Sequence, residues 1–237
     1  MTQDSYQEKQ QRNHIANFKK IVDPLFLKYY EKIIGSTMLS TEALYDLWWS
    51  VKYLCAKGLD GDIVEFGVWK GGALELVAYA LNEYKGTNKI VGFDTFEGHP
   101  KPEANEIDIW GNNMQAKFQE VEKSGEKWAF ADYDDVNTRL RKINSNVELI
   151  KGIVDQNIDA SKINRIAILR LDMDWYQPTK TALNKFYDKI QKGGILIIDD
   201  YGHHSGAKKA TDEFIKERDL RLNFRHINYS CIAANIL

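Results

Sequence analysis

Cysteine is nearly absent from this chain. Only Cys55 and Cys231 occur in 237 residues, far apart and without metal-ligand spacing, which argues against a disulfide framework and favours two free thiols in a reducing compartment. No apolar run approaches the roughly 20 residues that cross a bilayer, and the Gln-, Glu- and Lys-rich stretch 3–11 lacks the apolar core of a secretory signal. An excess of one charge is missing too. With 32 basic and 34 acidic residues the formal net charge is -2, so the chain as a whole attracts neither nucleic acid nor an anionic membrane. Lys208-Lys209 has no flanking basic cluster and reads as a solvated helix start. These absences leave a cytoplasmic chain with no nucleic-acid and no membrane partner. Its 43% hydrophobic content suits one α/β core rather than two.

Apolar residues recur at helical spacing across 15–55, as Phe18, Val22, Phe26 and Tyr29, then Leu44, Leu47, Trp48 and Val51. Short apolar runs follow at 63–66, 90–93, 147–150, 166–171 and 195–198 and read as buried parallel strands. Helical stripes at 72–84 and 178–190 alternate with them, with Pro178 in a first turn and Gly193-Gly194 ending a helix before the next strand. The alternation predicts a doubly wound, mostly parallel sheet. Beyond it, 207–217 reads as a helix, and 221–227 with 229–236 as a closing hairpin on the sheet edge. The interval 100–145, with Trp110, Phe118, Trp128, Phe130 and Tyr133 among charges, reads as a lid with two short helices. No repeat or low-complexity tract appears, which leaves a helical N-terminal cap over 1–60 and one domain over 61–237.

The run Asp62-Ile63-Val64-Glu65-Phe66-Gly67-Val68-Trp69-Lys70-Gly71-Gly72 carries a strand into glycines and then a helix. Such glycines let backbone approach a ligand, with helix N-terminal amides facing it. The spacing is not that of the dinucleotide fingerprint, and Glu65 would repel a pyrophosphate but could pair with an amino group. The next strand ends at Asp94, where an acid can accept hydrogen bonds from ribose hydroxyls. An adenosine-containing ligand without a demanding phosphate site fits both strand ends, and S-adenosylmethionine meets that description.

Two further strands end in acids: Asp172 and Asp174 in one, Asp199 and Asp200 in the other. If the strands are neighbours, these carboxylates converge, which is unfavourable unless a cation offsets the repulsion or some are protonated. Hard oxygen ligands suit Mg2+, with Mn2+ or Ca2+ also compatible, and no His or Cys pairing supports zinc. Helix capping accounts for any one of these aspartates more easily than for all of them.

The segments 65–72, Asp94-Thr95-Phe96-Glu97-Gly98, Leu171-Asp172-Met173-Asp174-Trp175-Tyr176 and Gly193-Gly194 leading to Asp199-Asp200-Tyr201 resemble the macrocin and mycinamicin O-methyltransferase family over 37–217. The resemblance implies a seven-stranded class I methyltransferase fold, S-adenosylmethionine, a magnesium ion, and methyl transfer to a sugar hydroxyl of a natural product. Carried over by motif, Asp172, Asp199 and Asp200 would hold the metal and Asp174 would be the general base. Glu65, Gly67 and Gly71 would surround the methionine end, Asp94 and Thr95 the ribose, Asp155 and Gln156 the adenine, and Thr37-Met38 would close over the cofactor. At Gln156 the family more often has an acid, and 100–144 matches poorly.

On this reading an acceptor with vicinal hydroxyls loses its proton to Asp174, whose pKa burial would raise. His203 and His204 offer an alternative base or substrate donors but read first as loop residues, while His14, His99 and His226 lack any constellation. Trp48 and Trp49 read as core and helix packing, and Trp69 and Trp175 as residues that could line the pocket. A catechol-type methyltransferase and a nonenzymatic adenosyl-ligand sensor are the rival readings. The aromatic N-terminal segment is compatible with a homodimer.

Overall fold

The computed structural model describes residues 22–154, 156 and 158–237. The expectations for Phe18, His14 and Asp155 lie outside these residues. Helix α1 (Pro24–Ile33) starts with proline in its first turn, and the Asp23 carboxylate accepts the Leu25 N–H at 2.9 Å. Ser40 caps α2 (Thr41–Lys57), and Gly58, left-handed at φ 61°, ends it. Then β1 (Asp62–Phe66), α3 (Gly72–Tyr84) and β2 (Ile90–Asp94) begin the alternation. They are followed by α4 (Met114–Lys123), α5 (Tyr133–Ile143), β3 (Val147–Lys151), β4 (Ile166–Leu171), α6 (Tyr176–Phe186) and β5 (Ile190–Ile198). The chain closes with α7 (Ser205–Glu217), β6 (Arg225–His226) and β7 (Ile232–Asn235). No helix among the described residues is long and apolar enough to cross a membrane.

The 7-stranded sheet has the order β3-β2-β1-β4-β5-β7-β6, parallel through β5 and antiparallel at β7 and β6. Order reverses between β1 and β4, the place where doubly wound sheets open a crevice beyond the strand ends. One face carries Ile63, Ile168 and Ile195 against Phe26, Trp48, Leu74 and Leu140 of α1, α2, α3 and α5. The other carries Phe66, Phe93 and Leu171 against Phe186 and Phe214 of α6 and α7. Burial on both faces is why these strands are continuous apolar runs rather than alternating ones.

Several sequence expectations need correction. Gly193-Gly194 do not end a helix. They lie within β5, whose pairing with β4 shifts register at that point and where Gly193 adopts φ 83°. The second helix of the expected lid, α5, is the crossover between β2 and β3 and packs its Val136 and Leu140 into the first core, which restricts the insertion to the chain before it. The closing hairpin is real but shorter than expected. Trp48 is buried, whereas Trp49 is 44% exposed.

Gly67 is the tightest point of the frame. It sits at φ 86°, and a Cβ there would overlap the Asp172 carbonyl oxygen. Gly67→Ala should therefore destabilise the fold by roughly 2–5 kcal/mol in urea unfolding, from strain plus overpacking. Gly35→Ala, which meets nothing within 4 Å, should stay within about 0.5 kcal/mol of the parent.

Candidate active site

The sheet hydrogen bonding continues one residue past the strand ends. Gly67 N–H donates to Phe93 O, Asp172 N–H to Phe66 O, Asp199 N–H to Leu171 O and Gly152 N–H to Asp94 O, each at 2.9 Å. The first residues after β1, β3, β4 and β5 are thereby fixed to the ends of neighbouring strands where the crevice opens.

A cavity of about 370 Å³ lies there, within the size range of small-molecule sites. Gly67, Trp69, Asp94, Thr95, Gly152 and Ile153 line one part of it, and Asp172, Asp174, His99, Trp128 and Trp175 another. Trp69 at φ 46° and Asp174 at φ 60° both hold left-handed backbone that non-glycine residues seldom adopt. Met38 reaches the cavity and is 72% exposed. Of the residues expected at the cofactor, Met38, Gly67, Asp94 and Thr95 line the cavity, whereas Thr37, Glu65, Gly71 and Gln156 do not. Ser36 O accepts the Gly72 N–H at 2.9 Å, and Thr37 lies against that same glycine. Gly71 is left-handed at φ 81° and faces Val136, and Gln156 is exposed.

Asp94 ties the glycine turn to β2. One carboxylate oxygen accepts Val68 N–H and Trp69 N–H, both at 2.8 Å, and the other accepts Phe96 N–H at 2.7 Å. A carboxylate has about four acceptor positions, so capacity for a ligand hydroxyl remains.

Glu65 and Arg170 stand in register on β1 and β4, and Asp172 follows two residues on, on the same face. Arg170 pairs with Glu65 and donates to Asp172 Oδ2 at 2.9 Å, with Asp199 Oδ2 at 3.3 Å. Its side chain is only 4% exposed. The sequence reading overlooked it, although a lone cation inside the apolar run Ile-Ala-Ile-Leu-Arg-Leu was the available signal.

The expected metal trio does converge: Asp172, Asp199 and Asp200 each place a carboxylate oxygen within 4.8 Å of the others. Asp174, Asp200 and His204 form an overlapping group by the same measure. Burial, reinforced by the Asp172 charge and opposed by Arg170, pushes Asp199 up to about 7. Burial with the charges of Asp174 and Asp172 pushes Asp200 well above the ordinary carboxylate range. Glu65 rises to about 8 by burial, against the pull of Arg170. These carboxyls lack enough counter-charge in the protein itself. The N-cap positions of α6 and α7 are Trp175 and His204, and Asp199, which occupies the N-cap position of the short 3-10 turn Asp200–Gly202, makes no side-chain capping hydrogen bond there.

His99 overturns its reading as an isolated residue. It lines the cavity, and its Nε2 lies 2.8 Å from Asp174 Oδ2, with His204 Nε2 at 3.5 Å from the same atom. Burial works to raise the Asp174 carboxyl, but the charge and hydrogen bond of His99, with His204 behind it, outweigh burial and hold it below the usual range. The expected upward shift of Asp174 is therefore reversed. His99 rises in turn, because Asp174 outweighs the burial that would lower it. His204 is lowered by burial. It is buried in the site, whereas His203 meets Tyr229 Oη at 3.1 Å on the surface.

Trp175 and Trp69 both line the cavity, as the sequence allowed. The insertion is stitched over the site. Trp175 Nε1 donates to Pro100 O at 3.0 Å, Tyr176 N–H to Glu106 Oε1 at 2.8 Å, and Ser205 N–H to Ile107 O at 3.0 Å.

Comparison with known proteins places this geometry. The family described as Macrocin-O-methyltransferase (TylF) matches residues 8–235. The 8-demethyl-8-(2,3-dimethoxy-alpha-L-rhamnosyl)-tetracenomycin-C 4'-O-methyltransferase of Streptomyces olivaceus is 28% identical over 188 residues, 76% of this chain and 67% of its own. The demethyldecarbamoylnovobiocin O-methyltransferase of Streptomyces niveus is 27% identical over 190 residues, 78% of this chain and 69% of its own. The solved structure of the O-methyltransferase NovP superposes with a TM-score of 0.73 at 24% identity, covering 85% of this chain and 82% of that one, which shows a shared fold. A match across nearly the whole length, on the class I methyltransferase sheet, makes this chain a member of the macrocin O-methyltransferase family, a methyltransferase whose family implies S-adenosylmethionine as methyl donor.

Proposed function

We propose that the protein transfers the methyl group of S-adenosylmethionine to a sugar hydroxyl of a glycosylated natural product or glycan, at a site where Asp172, Asp199 and Asp200 hold a divalent ion. The observation that carries this reading is the convergence of these carboxylates at the sheet's switch point, beside the glycine turn. Relatives named for methylating a rhamnosyl tetracenomycin and a novobiocin precursor support the sugar-bearing acceptor. The donor set fits a hard cation: Asp200 Oδ2 is buried and has no hydrogen-bond partner among the described residues. The cavity fits the donor through the bare backbone of Gly67 and the spare acceptor capacity of Asp94.

When bound, the divalent ion supplies Lewis acidity toward a hydroxyl pair and S-adenosylmethionine supplies the methyl group. The protein's part is placement, proton acceptance and exclusion of water. Asp94 holds the ribose end, and Met38 covers the cavity mouth. Asp174 receives the hydroxyl proton. Its carboxylate is held ionised by His99, so it is available over the whole working pH range, but it is a weak base and suits an acceptor oxygen that has already been acidified. Trp128 and Trp175, with ring centroids 5.9 Å apart, form an apolar wall that excludes water from the transfer.

That indole wall also suits a flat phenolic acceptor, so one assay should compare rhamnosides having vicinal hydroxyls with a catechol, with magnesium and after chelation. Metal-dependent methylation of the rhamnoside is expected. Transfer only to the catechol would replace the sugar reading, and undiminished transfer after chelation would remove the metal. Asp174→Asn should lower kcat by about 10²-fold or more while leaving donor binding by calorimetry unchanged. In the Asp199→Asn, Asp200→Asn double variant the magnesium heat should disappear.

Stability should follow the raised groups. Asp199, Asp200, Glu65 and His99 all bind protons more tightly folded than unfolded, so their contribution is present at low pH and lost as pH rises through the folded values of about 7 for Asp199 and about 8 for Glu65. The melting temperature of chelated protein should fall from about pH 5 to about pH 8. Magnesium should reverse most of that fall. A flat profile in chelator would show that these groups titrate alike folded and unfolded.

A further inference from the structure

We propose that Arg170 is a built-in counter-cation that competes with the divalent ion for Asp172 and Asp199, and that Glu65 tempers this competition by drawing the guanidinium toward itself. The inference rests on the metal reading above and adds the residue that sets the affinity of that site.

Every other position of β4 is buried and apolar, and an isolated guanidinium there would be costly. Arg170 is retained in a place where one face of the fork meets Glu65 on β1 and the other meets the carboxylates leaving β4 and β5. The planar fork lets a single cation serve carboxylates from three strands. Two of those carboxylates are proposed metal ligands. A fixed positive charge in contact with them repels an incoming ion and removes part of the negative charge that would hold it.

Glu65 gives the arrangement its second term. Its side chain is 3% exposed, and it is not part of the cavity wall. One of its carboxylate oxygens pairs with Arg170, and the other, buried, has no partner among the described residues. Glu65 thus pulls the guanidinium from the side away from Asp172 and Asp199. Weakening that pull moves the positive charge onto the metal ligands, and removing the guanidinium leaves them to the ion alone.

The test is a Mn2+ titration of the full chain without donor or acceptor, run above pH 8, where Glu65 is ionised, and followed by calorimetry and by the paramagnetic resonance signal of free Mn2+. Arg170→Met keeps the length of the side chain and deletes its charge, and it should bind Mn2+ about tenfold more tightly than the parent. Glu65→Gln should bind about threefold more weakly, and that effect should vanish in the double variant, because without Arg170 there is nothing for Glu65 to hold back. Unchanged or weaker binding by Arg170→Met overturns the proposal, as does a Glu65→Gln effect of equal size in both backgrounds. Should Arg170→Met fail to fold, judged by its melting curve, Glu65→Gln decides alone, with unchanged or tighter binding as the overturning result. If no form binds Mn2+, the metal reading itself fails. Parent binding that ignores both substitutions defeats only the role of Arg170.

Discussion

Gathering Glu65, Asp172, Asp174, Asp199 and Asp200 at one end of a buried sheet opposes folding, and among the described residues Arg170 is the guanidinium placed among them. Buried ion pairs seldom repay the cost of removing their charges from water. The stability of the fold must therefore come from elsewhere, from the two apolar faces of the sheet and the helices that cover them. Their task is to hold the strand ends in register against local repulsion. The backbone bonds that run past the strand ends, such as Asp172 N–H to Phe66 O and Asp199 N–H to Leu171 O, do this. What repulsion remains is relieved by protonation, seen in the upward shifts of Glu65, Asp199 and Asp200.

The sequence revealed the parts of this arrangement that depend on neighbours along the chain. Buried parallel strands announce themselves as apolar runs, and acids at their ends stand out against those runs. Asp172, Asp174, Asp199 and Asp200 could be read as a group because each sits at or just past a strand end in a sheet whose order follows from alternation, while the choice of Asp172, Asp199 and Asp200 among them came from the family resemblance. The crossover helix α5 was merged with the insertion because its polar residues, Asp134, Asp135, Arg139 and Arg141 among them, dilute a buried stripe reduced to Val136 and Leu140. Gly193-Gly194 misled because glycine marks a helix end and a strand irregularity equally well. His99 could not be placed at all, since its partner Asp174 lies 75 residues away and nothing local to either residue announces the pairing.

The two sides of the crevice are built by different means. One side consists of strand ends locked by sheet hydrogen bonds, where even one added methyl group at Gly67 would collide with the neighbouring strand end. The other side is the insertion before α5, attached through Trp175 Nε1 to Pro100 O, Tyr176 N–H to Glu106 Oε1, Ser205 N–H to Ile107 O and Ile107 N–H to Ser205 Oγ. Three of those four bonds end on backbone atoms of the insertion, so most of its side chains can change without breaking them. Glu106 is the exception. It is buried against the starts of α6 and α7, and its carboxylate holds the insertion to the helices that leave the aspartate-bearing strand ends. A rigid floor of strand ends under a roof held by few bonds lets the roof's sequence vary without disturbing the residues that hold the sheet together.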